Sequence, residues 1–198
     1  MGKRIRAAIL LLLCLLLAGC GAGGGETAAG ETAAEEEETF DEELLSQWVV
    51  GGVTFMVPTS SRPQNMTEDG VEYCAFQAAD LYILMSAVPQ EGIFSLTDFE
   101  KEEADAYLEE LKAEDEYGYA PAVAELIIAG DIPYYLLGYS YEDAGSWVIL
   151  HTILEGRAYN ICGWRPGDRI TEEDIEFLWG TASTLEPIPL ETEGGVEE

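Results

Sequence analysis

Four runs rich in apolar and aromatic residues, Val123 to Ile128, Pro133 to Tyr141, Ser146 to Leu154 and Arg157 to Trp164, follow one another with only short turns between them. Gly130-Asp131, Asp143-Ala144-Gly145 and Glu155-Gly156 supply those turns. Connections this short join neighbouring antiparallel strands, whereas parallel strands need a crossover of a dozen or more residues. The stretch therefore predicts an antiparallel meander, whose apolar faces other elements must cover. Upstream, Gly52 to Pro58 reads as a strand stopped by proline. After a polar loop from Thr59 to Gly70, Val71 to Gln77 and Leu81 to Val88 form a hairpin through Ala78-Ala79-Asp80.

The covering elements are legible from a different period. Leu96, Phe99, Ala104, Tyr107, Leu108 and Leu111 recur at three- and four-residue steps, which predicts a long amphipathic helix. Ser95 is its expected cap, with Asp98 three residues on and Phe94 placed to staple against Phe99. A second helix repeats the device, with Thr171 as cap, Asp174 at the third position and Ile170 and Ile175 as the staple. Its expected inward face is Leu178, Trp179, Ala182 and Leu185. Glu42 to Val50 reads as a further short helix, with Leu44, Leu45 and Trp48 on one side. The expected class is α+β, an antiparallel β-sheet flanked by helices.

The same elements carry a resemblance. Gly52 to Pro58 at the start, Ile128-Ala129-Gly130-Asp131-Ile132-Pro133-Tyr134-Tyr135 opening the meander, Arg157 to Ile161 in its last strand and Ala182-Ser183-Thr184-Leu185 closing the last helix stand in an order that resembles the PsbP-like fold. That group includes the extrinsic photosystem II subunit, a Ran-binding import factor and bacterial lipoproteins of the DcrB kind. The resemblance covers Val49 to Pro187 and implies an α/β/α sandwich that works as an accessory or binding module. It assigns no functional residue to this chain, and fold does not fix function.

Lys3, Arg4 and Arg6 precede an apolar run from Ala7 to Leu17 that ends in Leu17-Ala18-Gly19-Cys20. At about eleven residues the run is short of the roughly twenty that span a bilayer, and with its basic start and small residues before the cut it reads as an export signal. Leu-Ala-Gly-Cys resembles the lipobox of bacterial lipoproteins, which implies that Cys20 takes a diacylglyceryl group and that the mature chain is tethered outside the cytoplasm. Two acyl chains, at about 0.8 kcal/mol per buried methylene, suffice to hold a protein on a membrane. Residues 1–20 are thus the signal. Residues 21–39, nearly all Gly, Ala, Thr and Glu, form an acidic spacer with an r.m.s. span of roughly 25 Å. Residues 40–187 form one domain, and 188–198 an acidic tail.

The formal net charge of the chain is -30, and removal of the signal makes it more negative still. Such a surface repels phosphate backbones and anionic headgroups, so nucleic acid is excluded as a partner and the lipid anchors alone. Of the cysteines, Cys14 leaves with the signal and Cys74 and Cys162 stay within the domain. An exported compartment permits a disulfide between them; two separate buried thiols are the alternative.

Chemistry is sparse. His151, the one histidine, sits in a strand on the face opposite Leu150 and Thr152, as a catalytic base or as a hydrogen-bonded strand histidine. One histidine and two domain cysteines are too few soft ligands for zinc, no calcium-loop spacing is present, and no cofactor is expected. Period two places Tyr135, Leu137, Tyr139 and Tyr141 on one face and Tyr134, Leu136, Gly138 and Ser140 on the other. Such a tyrosine row stacks a sugar, grips an extended peptide, or lies under a helix as core. Trp164-Arg165-Pro166-Gly167-Asp168-Arg169 gathers two arginines beside a tryptophan, so Trp164, Arg165 and Arg169 are the candidate partner contact; pairing of Arg165 and Arg169 with nearby acids is the alternative. The leading expectation is a lipid-anchored binding or accessory module with an envelope protein partner. An envelope enzyme using carboxylates and His151, or a cation-responsive surface protein, is the alternative.

Overall fold

Alternation, turn glycines and one long-range pairing build the core of this molecule. The computed structural model describes residues 45–114, 118–141 and 145–189. The unit Met1–Leu44, which holds Cys20 and the spacer, falls outside the described residues, as do the tail from Leu190 and the turn residues Asp143 and Ala144.

The meander forms as the short turns require. β6 (Val123–Ala129), β7 (Ile132–Tyr141), β8 (Gly145–Leu154) and β9 (Arg157–Trp164) pair antiparallel in sequence order. The non-local step joins β9 to β5 (Leu81–Pro89), with Cys162 opposite Leu84. Beyond β5 lie β4 (Val71–Ala78) and β3 (Gln64–Glu68), so the seven-stranded order is β3-β4-β5-β9-β8-β7-β6. A second sheet holds β1 (Leu45–Val50), β2 (Val53–Pro58) and the two-residue β10 (Glu186–Pro187).

Two segments differ from their expectation for one reason. Leu45 to Val50 is β1, where a helix was expected, and the loop from Thr59 to Gly70 contains β3. Each is tied to the next strand by a two-residue turn with positive φ at both positions: Gly51 at 57° and Gly52 at 86°, Asp69 at 51° and Gly70 at 78°. Such turns match the twist of paired strands. Trp48 then sits opposite Phe55, and the pairing with β2 overrides the helical spacing of Leu44, Leu45 and Trp48.

The long helix is shorter than its period suggests. Ser95 caps only the 3₁₀ turn Leu96–Asp98, and Phe99, with φ -69° and ψ 131°, breaks the chain before α1 (Lys101–Lys112). The Glu103 carboxylate accepts the Glu100 backbone N–H at 3.0 Å, which starts that helix. Phe94 is 65% exposed and makes no staple. The break lets Leu96 and Phe99 seat on the sheet near Ile153 and Ala158 while Tyr107, Leu108 and Leu111 cover Tyr135 and Leu137. The second helix, α2 (Glu172–Ser183), begins as expected at Thr171, whose hydroxyl accepts the Asp174 N–H at 3.2 Å. Leu178, Ala182 and Leu185 are buried, but Trp179 is 42% exposed because it is turned about 100° from Leu178, off the face that meets the sheet.

One face of the large sheet, with Phe76, Ile83, Met85, Tyr134, Leu150 and Ile161, packs against Val53, Phe55 and Val57 of β2 and Leu178 and Ala182 of α2. Gly163 permits that contact, since a Cβ there would lie 2.5 Å from a Leu178 methyl. The other face carries α1 and the 3₁₀ turn. The architecture is thus sheet-dominated, with β1, β2 and β10 taking part of the place that the expected sandwich gives to helices.

Candidate functional site

Register on the α1 face sorts side chains into three parallel rows. Tyr139, Trp147, Trp164 and Tyr82 stand directly opposite one another across β7, β8, β9 and β5, ending at the exposed Gln77 of β4. One inward-facing step along lie Leu137, Ile149, Cys162, Leu84 and Ala75. Another step brings Tyr135, His151, Asn160, Ser86 and Tyr73 into line. Aromatic, apolar and polar rows therefore succeed one another along the strands.

The aromatic row is half-buried, and its rings rest on each other. Tyr139 stacks on Trp147 with centroids 5.0 Å apart and planes 10° from parallel. Tyr119, from the chain entering β6, meets Trp147 edge-on at 5.7 Å and Tyr141 at 4.6 Å. Tyr82 and Trp164 lie 5.6 Å apart. The Tyr141 hydroxyl donates to the Ala120 carbonyl and accepts the Ala120 N–H, each at 2.6 Å, which fixes this end of the cluster. Stacked, half-buried rings present broad, rigid apolar surface, suited to contact through shape.

The polar row is closed on itself. His151 is 2% exposed. Its Nδ1–H donates to Asn160 Oδ1 at 2.7 Å, and its Nε2 accepts the Tyr107 hydroxyl at 2.9 Å, the tautomer being assigned from the acceptor-only character of the amide oxygen. Asn160 Nδ2 continues to Ser86 Oγ at 3.4 Å. Burial holds the His151 pKa below its ordinary value, only partly opposed by the Asn160 hydrogen bond, and pushes the Tyr107 hydroxyl up to about 12. A neutral histidine with both nitrogens engaged beneath a helix locks α1 to the sheet; it has no open position for a substrate proton.

That network carries a pH prediction. The folded-state pKa of His151 lies under its unfolded value of about 6.5, so between the two the unfolded chain binds more protons. Stability is fully present above the unfolded pKa and falls as pH drops toward the folded one. The parent should therefore lose denaturant resistance relative to His151→Gln on going from about pH 7.5 to about pH 5.5. Parallel pH profiles for the two proteins would refute the buried neutral histidine.

The expected contact loop is divided by the sheet. Trp164 joins the aromatic row, whereas Arg165, one residue on, points to the α2 side. Its Nε donates to Asp174 Oδ2 at 2.7 Å and its Nη2 to Oδ1 at 2.8 Å, with Nη1 3.9 Å from the exposed Asp80. Asp174 is 4% exposed and also accepts the Thr171 N–H at 2.8 Å and hydroxyl at 2.9 Å. Arg165 is thus committed to the start of α2, while Arg169 is exposed at the end of the loop. Cys74 and Cys162 are both free and buried. Register explains why no bridge forms: Cys162 aligns with Leu84 and Ala75, so Cys74, the next residue in β4, faces the opposite side of the sheet.

The aromatic row was not anticipated as a unit, although the hairpins contain it. Trp147 and Trp164 are equidistant from the turn at Glu155-Gly156, so counting outward from that turn pairs them. Only the β5–β9 pairing brings Tyr82 alongside, and no local signal encodes it.

The sheet-dominated fold, with a helix packed on each face of the large sheet and a small accessory sheet, is PsbP-like by its similarity to a solved structure. Among solved structures the chain is similar to the solution structure of cyanobacterial PsbP (CyanoP) from Synechocystis sp. PCC 6803, with a TM-score of 0.50 and 16% sequence identity, over 85% of this chain and 99% of that chain. No family model and no curated protein matches the chain. Among the described residues no helix is long and apolar enough to cross a membrane, and no group of three or more His, Cys, Asp or Glu side chains could hold a metal ion.

Proposed function

We propose that this chain is a lipid-anchored binding module of a bacterial envelope, tethered through Cys20, and that it engages a protein partner through the aromatic row centred on Trp147 and Trp164. The observation that carries the reading is the row itself: four aromatic side chains in register, half-exposed, on a sheet whose buried polar groups are all satisfied within the described residues. Tryptophan, tyrosine and arginine are the residue types in which interfaces concentrate their energy. Arg169 belongs to the edge of this contact, and Arg165 supports it from behind by holding α2. The Leu17-Ala18-Gly19-Cys20 sequence supports the tether, and the acidic spacer gives the domain reach.

A photoreactive residue at Gln77, the exposed end of the row, tests the contact in intact cells. The expected result is a discrete adduct in the envelope fraction. It should be lost when Trp147→Ala and Trp164→Ala are combined in a chain that still folds, since truncating one central tryptophan costs about 2 kcal/mol or more of binding. An undiminished adduct overturns the site. The tether is checked separately: Cys20→Ala should abolish the processed, membrane-bound form, and a variant that processes and partitions like the parent overturns the anchor.

A further inference from the structure

The two edges of the large sheet are treated oppositely. At β3 the exposed residues are Gln64, Asn65, Thr67 and Glu68, a polar edge of five residues. At β6 the strand is Val-Ala-Glu-Leu-Ile-Ile-Ala, paired to β7 on one side alone. Seven large apolar side chains stand exposed among the described residues, and three of them, Val123 at 49%, Leu126 at 53% and Ile128 at 54%, lie on this one strand. Natural edges are usually blunted by lysine, proline or a very short strand, because a row of free backbone donors and acceptors recruits another strand. β6 holds no lysine, arginine or proline, and Glu125 is its one charge.

The strand is also rigidly presented. Ala124 packs into the cluster under α1, and Ile127 packs on the main core, where Ala129 is fully buried. Both faces are pinned, so the outer edge cannot curl away. Its surroundings are acidic. α1 packs beside β6 and exposes Glu102, Glu103, Asp105, Glu109 and Glu110 against Lys101 and Lys112, and Glu125 and Asp131 are exposed on or next to the strand.

We propose that the β6 edge is a strand-addition site for an extended, cationic segment of another protein, in which backbone hydrogen bonds to Val123–Ala129 give the pairing, apolar side chains cover Leu126 and Ile128, and lysine or arginine side chains answer the acidic rim. This mode draws affinity from the main chain and selectivity from alternate side chains. Charge decides the occupant. Pairing with a second copy would bring together two chains that each carry a formal charge of -30 and juxtapose their α1 acids, whereas a cationic strand is drawn in. The site is independent of the aromatic row.

The probe is a fluorescent octapeptide of alternating lysine and valine, titrated into the full-length chain at physiological ionic strength, with amide exchange of β6 followed in parallel. Binding should slow exchange across Val123–Ala129. Affinity should fall at least tenfold when alternate peptide nitrogens are methylated, and similarly in Leu126→Lys/Ile128→Lys. Those side chains are exposed, so the variant should keep the parent's circular dichroism and thermal midpoint. Binding that survives backbone methylation overturns the proposal in favour of diffuse charge attraction. Concentration-dependent dimers that protect β6 without peptide overturn it in favour of self-pairing, and no saturable binding at millimolar peptide overturns it outright.

Discussion

Asp174→Ala should destabilise the fold by about 2 kcal/mol, the cost of losing charge-assisted hydrogen bonds in a part-buried ion pair together with the capping box of α2. The loss has two parts. Arg165 is left without the carboxylate that receives both its Nε and Nη2, and α2 loses the group that accepts the Thr171 N–H and hydroxyl. Burial pushes the Asp174 carboxyl up, but the hydrogen bonds from Arg165 and Thr171 outweigh it and hold the pKa below the ordinary carboxylate value. The stability so gained is present above the unfolded value of about 3.9 and is lost as pH falls through the lower folded value, so the variant should show a weaker acid limb below about pH 4. Denaturant unfolding of Asp174→Ala, Arg165→Ala and the double variant checks the pairing, because residues acting as a unit cost less together than the sum of the single losses. Strictly additive losses, or an unchanged midpoint in Asp174→Ala, would show that the pair is incidental. A consequence for function follows: weakened partner capture in an Arg165 variant reports on α2, and Trp164→Ala is the cleaner test of the surface.

Gly51→Ala should cost about 3 kcal/mol, combining the penalty for a left-handed residue with a Cβ and the strain of overpacking. Gly51 has φ 57°, and an added Cβ would lie 2.1 Å from the Cβ of Ala87, a backbone-fixed atom that cannot rotate away. The backbone around it is also engaged. The Tyr159 hydroxyl donates to the Gly51 carbonyl at 2.6 Å, and the Gly51 N–H donates to Glu72 Oε2 at 3.1 Å, a carboxylate that also receives Arg157 at 2.9 Å. The β1–β2 turn is in this way clamped onto β4, β5 and β9. Adding Ala87→Gly should recover the steric share and leave the conformational share, so the double variant should unfold between the parent and Gly51→Ala. A Gly51→Ala protein within about 0.5 kcal/mol of the parent, the range of ordinary surface changes, would mean that the turn yields freely.

Both residues bear on the candidate site by position. Asp174 and Arg165 fix α2 behind the last strand, which sets where Trp164 emerges on the other face; Gly51 seats the small sheet against that same side. His151, by contrast, sits two rows from the tryptophans and joins α1 to the sheet. The single histidine is therefore a structural tie, and the half-exposed chemistry of this face is aromatic.

What the sequence determined by itself was local. The meander β6–β9 followed from alternation and short turns, the start of α2 from Thr171 and Asp174, and the two faces of β7 from period two, because each is set by residues within a few positions of one another. Glycine turns at Gly51-Gly52 and Asp69-Gly70 were equally local signals, and reading them as two-residue hairpins would have converted the expected helix and loop into β1 and β3. The tertiary structure alone decided the rest. The β5–β9 pairing spans many residues and has no local signature, yet it puts Tyr82 beside Trp164 and sends Cys74 and Cys162 to opposite faces. Helix period placed Leu96 and Phe99 in a helix, but their burial against Ile153 and Ala158 required a break before Lys101. The partner of Arg165 was hidden for the same reason: a side chain's direction depends on which face its strand turns to the core, and that is fixed only when the strands have found their register.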